Sequence, residues 1–314
     1  MDQVYPRDIW ADQVMTRSKK VGGQSFEERL LPIESVEDYF LHFGVLELDF
    51  TFYRPLLEAD GKPSSNLFTL RRYAEAAPAN ARFLLKAPQP YTARILRRRV
   101  DGRVQYVENL DYLDAEGYVE RFLVPALDTL GDRLGGVLFE QEYARVRESP
   151  PPEAFIGELD RFFAQVPDTV PTHLEIRSAH LLVPPYFAWL ADRGLGFIVS
   201  HWTWLPSIRE QWMLASERFT AANKTAVLRL MNPRDMKFAE AFALAAPFEG
   251  PAPGLADTAQ ARQMIDEATA LAYKALAADV TLDVICNNRA WGNSPDLART
   301  VANRFLDFAD RFGA

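Results

Sequence analysis

Cysteine is nearly absent: Cys286 is the single one in 314 residues, so no internal disulfide can form. Lying in the apolar run "TLDVIC", it reads as a small buried hydrophobe rather than a reactive thiol. No apolar stretch approaches the roughly 18 residues that span a bilayer, and the opening "MDQVYPRDIW" lacks the apolar segment of a secretory leader. The expectation is a cytoplasmic protein with no membrane partner. Positive charge is also scarce. With 35 Lys and Arg against 43 Asp and Glu, the net charge is -8, which argues against a general nucleic-acid binder, since such affinity comes from cations neutralising phosphates. There are four histidines and no His pair at ligand spacing. A metal held by Glu47, Asp49, Glu175 and His201 would be opposed by the cations expected beside them, so no metal is expected. The chain has no "GxGxxG" after its early strands, no "GxSxG" elbow and no "GxxxxGK[ST]" loop. Dinucleotide, serine-elbow and P-loop chemistries therefore find no support, and no cofactor is indicated.

What is present is a repeating alternation. "LELDFTFYR" starts at Leu46 and places Leu46, Leu48, Phe50 and Phe52 on one face of a strand, with Glu47, Asp49, Thr51 and Tyr53 on the other. Six more β-rich runs follow: "ARFLLKAP", "GGVLFEQ", "THLEIRS", "GFIVSHW", "TAVLRLMN" and "TLDVICNN". Helical spacing separates them, as in Val119, Phe122, Leu123, Ala126, Leu127 and Leu130, or Leu297, Val301, Phe305, Phe308 and Phe312. Strand–helix repetition implies parallel strands with crossover helices. At seven or eight units it closes most naturally as an α/β TIM-type (β/α) barrel. The first forty residues hold no clear strand, so the first barrel strand is irregular, missing or hidden there. Residues 1–32 are expected to be an N-terminal extension packed on the barrel, and 33–314 a single barrel domain. The proline-rich "ESPPPEAF" and "APFEGPAPGLAD" are short loops rather than linkers.

The barrel explains the acidic residues in that apolar strand. Outward faces pack on helices, while inward faces fill the lumen or, at the C-terminal end, line the ligand site. Collecting the same end of each strand gives Glu47, Asp49, Tyr53 and Arg54, then Lys86, Glu140, Gln141, Glu175, Arg177, His201, Trp202, Arg229, Asn232, Asn287 and Asn288. Four carboxylates thus meet four cations: Arg54, Lys86, Arg177 and Arg229. Inward charges must be paired, so a structural ion network accounts for them without chemistry. Convergence from separate strands on the catalytic end of the fold points to a site. After the last strand, "NNRAWGNSPDLAR" places Gly292, Asn293 and Ser294 before a helix. Ser294 reads as its N-cap and Pro295 as its first residue, and free N–H groups there suit an anion. Trp202, Trp204, Trp212 and Trp291 offer aromatic faces for a sugar or planar ring, or simply pack under loops. "ARILRRRVDGR" gathers Arg94, Arg97, Arg98, Arg99 and Arg103. It reads as a solvated arm or hairpin, with an anionic partner or an RNA backbone as the functional alternative.

In order and spacing, "LELDFTFYRP", "FLLKAPQPYT", "LGDRLGGVLFEQ", "LEIR", "LRLMN" and "CNNRAWGNSPDLA" resemble the YecE-like family known as domain of unknown function 72, over about Ile33 to Phe312. The resemblance implies a TIM-type barrel of unestablished activity. By matching position it carries over Glu47, Tyr53, Lys86, Glu175, Arg177, Arg229, Asn287 and Asn288 as site residues. Departures mark a divergent branch: Asp49 stands where the family usually has Asn, and Ala93 where it has His. Glu140 and Gln141 replace an "FQLPP" continuation, "RLMN" replaces "RLHG", and the opening "IGTSGW" strand is absent.

The leading expectation is an enzyme acting on a small anionic or polyhydroxylated molecule at the barrel mouth. Glu47 or Glu175 would be the acid/base group, and Lys86, Arg177 and Arg229 would hold the anion. Asn287 and Asn288 would orient it, with Asp49, Tyr53 and His201 completing the binding set. The rivals are a noncatalytic ligand- or partner-binding barrel and a metal-dependent phosphodiester enzyme.

Overall fold

The computed structural model describes residues 10–100 and 103–312. Seven parallel strands run in sequence order round one sheet: β1 (Leu46–Leu48), β2 (Phe83–Lys86), β3 (Leu134–Gln141), β4 (Thr172–Ile176), β5 (Gly196–His201), β6 (Thr225–Leu230) and β7 (Thr281–Cys286). All six neighbouring pairs are parallel. This is a nearly closed TIM-type barrel surrounded by helices. No eighth strand joins β7 to β1 among the described residues. The seven strands are those read from the sequence, and among the described residues the segment before Leu46 adds no strand to the barrel sheet.

Strand alternation divides the interior in two. The outward residues Phe83, Leu85, Val137, Phe139, Leu174, Ile176, Phe197, Val199, Leu228 and Leu230 belong to the large core beneath the helices. That core is completed by faces such as Phe155, Leu159, Phe162 and Phe163 on helix Pro152–Phe163. On helix Ala259–Ala277 the matching face is Met264, Ile265, Ala268 and Leu271. The inward Leu84, Leu138, Ile198 and Val227 form a separate apolar plug, with Val45 and Ile285 against it.

Polar layers lie on both sides of this plug. At the N-terminal floor, Arg82 makes two hydrogen bonds of 3.1 Å to the Asp283 carboxylate, and buried His173 meets Thr225 Oγ1 through Nε2 at 3.1 Å. The His173 ring occupies space that only glycine leaves free: a Cβ on Gly196 would lie 1.9 Å from His173 Nδ1. At the C-terminal end stand Glu47, Lys86, Glu140 and Arg229, each two residues beyond a plug residue in the chain, with Glu175 beside them.

Outside the barrel are two antiparallel hairpins. The first (Met15–Val21 with Gln24–Leu30) was not anticipated. It packs Phe26 edge-on against Phe242 of helix Phe238–Ala245, at 5.0 Å between ring centroids, and Lys19 lies over the same ring. The second (Ile95–Val100 with Arg103–Glu108) is the arginine-rich segment. It follows β2, so it rises from the C-terminal face. Asn109 anchors its base by donating to the carbonyls of Pro90 and Ala93, both at 2.6 Å. No helix among the described residues is long and apolar enough to cross a membrane.

Two buried histidines make the fold acid-sensitive. Burial, aided by the charge of Arg82, pushes His173 down to about 4, and burial, aided by Arg234, does the same to His201. In the unfolded chain both protonate near pH 6.5. Between those values the unfolded state binds more protons, so stability is intact above about pH 6.5 and falls as the pH drops toward 4. The expected loss is up to about 2 kcal/mol per histidine between pH 6.5 and pH 5. Urea unfolding at pH 7 and pH 5 measures it, and His173→Gln should show a smaller acid drop than the wild type. An identical drop in both proteins would mean that His173 carries no burial penalty.

Candidate functional site

The C-terminal end of the lumen is organised by one guanidinium. Arg229 on β6 is buried, with 1% of its surface exposed, and its fork grips Glu47 of β1. Nε donates to Oε2 at 3.0 Å and Nη2 to Oε1 at 2.6 Å. Its Nη1 reaches Glu140 Oε2 of β3 at 3.3 Å and also bonds Glu175 Oε2 of β4. Glu140 is shared further, with Lys86 Nζ at 2.8 Å and Arg177 Nη2 at 2.6 Å. Arg177 also pairs with Glu175 at 3.5 Å. Three carboxylates are thus balanced by three cations. Burial raises Glu140, but the charges of Arg177, Lys86 and Arg229 outweigh it and hold the carboxyl well below the usual range. For Arg229, burial works against the charge, yet Glu175, Glu47 and Glu140 raise its basicity further.

Two of the cations lie on aromatic faces: Lys86 Nζ 3.8 Å from the centroid of Phe52, and Arg177 4.2 Å from that of Trp202. The network is not equally accessible. Glu140, Glu175 and Arg229 are sealed, whereas the side chains of Glu47, Lys86 and Arg177 keep 9%, 10% and 15% of their surface exposed.

Several expectations change at this end of the barrel. Regular alternation stops at Leu48, because a 3-10 turn (Phe50–Tyr53) follows Asp49. Thr51 is held there by its hydroxyl donating to the Lys86 carbonyl at 2.6 Å. Asp49 and Tyr53 therefore do not line the lumen behind Glu47. Both are exposed beyond it, Tyr53 by 74%. Arg54 leaves the set entirely and pairs with Glu58 at 2.6 Å on the surface. His201 is buried, and its Nδ1 has no partner. Of the tryptophans, Trp202, Trp212 and Trp291 are packed away; Trp204 is half-exposed, tilted against Tyr143 at 4.5 Å.

The turn after β7 is also built differently from expectation. The N-cap of helix Ser294–Phe312 is Asn293, whose Oδ1 accepts from Asp296 N at 3.0 Å, so Ser294 is already inside the helix. Ser294 N donates to Asn288 Oδ1 at 2.7 Å, and Gly292 N donates to the Asn288 carbonyl. Asn293 Nδ2 is taken by the Phe248 carbonyl. Of the donors expected to receive an anion, the backbone N–H groups of Gly292 and Ser294 and the side-chain amide of Asn293 are used inside the protein. Gly292 remains indispensable for another reason: its φ is 111°, and a Cβ there would lie 2.4 Å from the Gly250 carbonyl oxygen. The side-chain oxygen of Asn287 accepts from Arg289 N at 3.1 Å, so both asparagines shape the turn.

Sequence reading missed Arg289. It is half-buried, its guanidinium lies 4.6 Å from the Phe238 ring centroid, and its buried Nε has no acceptor. The available signal was a cation directly after a barrel strand with no acid within five residues on either side. Burial, reinforced by the charges of Arg177 and Arg229, pushes it down to about 10. Cys286, by contrast, is an inert thiol pushed up to about 12 by burial.

Among the described residues, no three His, Cys, Asp or Glu side chains come together as a metal-ligand set; Arg229 stands between Glu47 and Glu175. The sequence matches the family model described as "Protein of unknown function DUF72" over residues 15–310, a span that takes in the first hairpin. No curated protein matches. Among solved structures, a DUF72 family protein from Enterococcus faecalis is 13% identical, with a TM-score of 0.51, over 86% of this chain and 88% of that one. Another from Thermotoga maritima is also 13% identical, with a TM-score of 0.49, over 87% and 86%. At such identity the likeness speaks to the fold alone.

The network makes a direct prediction about stability. Arg229→Met strands three buried carboxylates with two cations and should cost about 3–5 kcal/mol, as for other broken buried pairs. Arg229→Lys keeps the charge, loses the fork and should cost less. Urea midpoints of the three proteins test the order; a neutral Arg229→Met would show that the carboxylates do not depend on Arg229.

Proposed function

The chain belongs to the DUF72 family of proteins of unknown function, and within it we propose an enzyme acting on a small polar molecule at the C-terminal mouth of the barrel. The observation that carries this reading is the graded exposure of the ion network. Arg229, Glu140 and Glu175 form a sealed floor, while Glu47, Lys86 and Arg177 present one carboxylate edge and two cationic edges to the mouth. Glu47 is the acid/base group. Both its oxygens are fixed by the Arg229 fork, which orients a carboxylate without adding a flexible partner. Lys86 and Arg177, backed by aromatic rings, bind or polarise the substrate. Glu175, with 0% exposure, positions Arg229 and Arg177 rather than touching substrate. Asp49 and Tyr53 belong to the outer rim, and Asn287 and Asn288 shape the loop after β7.

A noncatalytic ligand-binding barrel is the second reading, and the charge balance of the network favours it, since three ion-paired carboxylates need no chemistry to justify them. One screen separates the two. Thermal shifts are recorded with sugar phosphates, small carboxylates and polyols, then repeated with Glu47→Gln and Arg177→Gln. A ligand at a hundredfold excess over its Kd stabilises the native state by about 2.7 kcal/mol. The expected result is a ligand whose shift is reduced in Arg177→Gln and whose conversion is lost in Glu47→Gln. A ligand bound but never converted leaves the binding reading alone, and shifts untouched by both substitutions would move the site away from the strand ends.

A further inference from the structure

Once the lumen charges are paired off, one cation is left over. Lys86, Arg177 and Arg229 each have carboxylate partners, but among the described residues no carboxylate forms an ion pair with Arg289, and its buried Nε has no acceptor. The side chain is nevertheless held in place. Its backbone N–H is fixed by Asn287 Oδ1, and the guanidinium lies against Phe238 at the start of the helix that follows β6. Arg177 and Arg229 both act on it with like charge, and Asp49 is the carboxylate whose charge opposes them. A half-buried guanidinium facing the like charges of Arg177 and Arg229, with no ion-paired acid among the described residues, is unfavourable by itself. It becomes favourable when an oxyanion supplies the missing acceptor, which the planar fork can receive through two parallel hydrogen bonds.

We propose that Arg289 is the receptor for an oxyanionic group, a phosphate or carboxylate, of the ligand that occupies the barrel mouth. The assignment rests on the mouth being the ligand site, as argued above, and deepens it by making the ligand an anion recognised from the β7 loop. At the start of helix Ser294–Phe312 the N–H groups of Ser294 and Asp296 are already occupied. Asp49 then sets affinity by repulsion, so the protein would hold an anion more weakly than an Asp49→Asn variant.

Calorimetric titration with inorganic phosphate, acetate and uncharged sorbitol tests this, using the wild type, Arg289→Gln, Asp49→Asn and Glu47→Gln, with melting curves recorded in the absence of any anion. Phosphate or acetate, whichever the site takes, should saturate the wild type. The affinity should drop roughly tenfold or more in Arg289→Gln, the amount that losing a charged hydrogen-bond pair implies, and should rise in Asp49→Asn. Without anion, Arg289→Gln should melt at or above the wild-type temperature, because it removes an unpaired cation; a structural arginine would instead lower it. Anion binding unchanged in Arg289→Gln, or a marked loss of stability in that variant without anion, overturns the proposal. Sorbitol binding that depends on Glu47, with no binding of either anion, overturns it while leaving the mouth as the ligand site. Anion binding lost in Arg289→Gln and intact in Glu47→Gln upholds the receptor and removes Glu47 from it.

Discussion

The structure turns on placing the Arg229 guanidinium inside the barrel. An arginine with almost no exposed surface is tolerable only if its donors meet acceptors and its charge is opposed. That one requirement calls for carboxylates at the ends of β1, β3 and β4. Three acids around one cation would be overcharged in turn, so Lys86 and Arg177 complete the balance through Glu140 and Glu175. The arrangement also compensates for an incomplete sheet. No strand pairing joins β7 to β1 among the described residues, yet the Arg229–Glu47 fork ties β6 to β1 across the lumen. At the opposite end, the Arg82–Asp283 pair ties the start of β2 to β7. Side-chain charges thus span the seam that backbone hydrogen bonds leave open.

This organisation separates support from recognition. Glu140 and Glu175 are deeply buried and paired, whereas Glu47 and Arg177 belong to the same network and keep part of their surface exposed. Arg289 stands outside the balance. In the reading proposed above, a neutral floor beneath this cation suits an anion at the rim, where Asp49 and Tyr53 meet solvent.

Much of this was legible in the residues. Period-2 runs such as "GGVLFEQ" and "TAVLRLMN" located their strands because inward and outward faces alternate chemically as well as geometrically. The inward acids and bases were recognisable because charge in a lumen is exceptional. Legibility failed where local chemistry had two outcomes. "LELDFTFYR" continues the alternation on paper, but Asp49 begins a tight turn, and Tyr53 and Arg54 swing out to solvent. Ser294 was as plausible a cap as Asn293, and the choice depended on which carbonyl or amide lay beside each one. The N-terminal hairpin carries polar, mostly exposed residues, so it shows little of the hydrophobic pattern by which a strand declares itself.

The sequence by itself determined the seven-strand order, the inward placement of Glu47, Lys86, Glu175 and Arg229, and the exclusion of an internal disulfide, because each follows from local periodicity or composition. Only the tertiary structure decided which acid pairs with which base, which of them stay accessible, and that Arg289 has no carboxylate partner among the described residues. Those outcomes depend on distances between strands far apart in the chain, as between Glu47 and Arg229, and side-chain spacing along one strand carries no information about them.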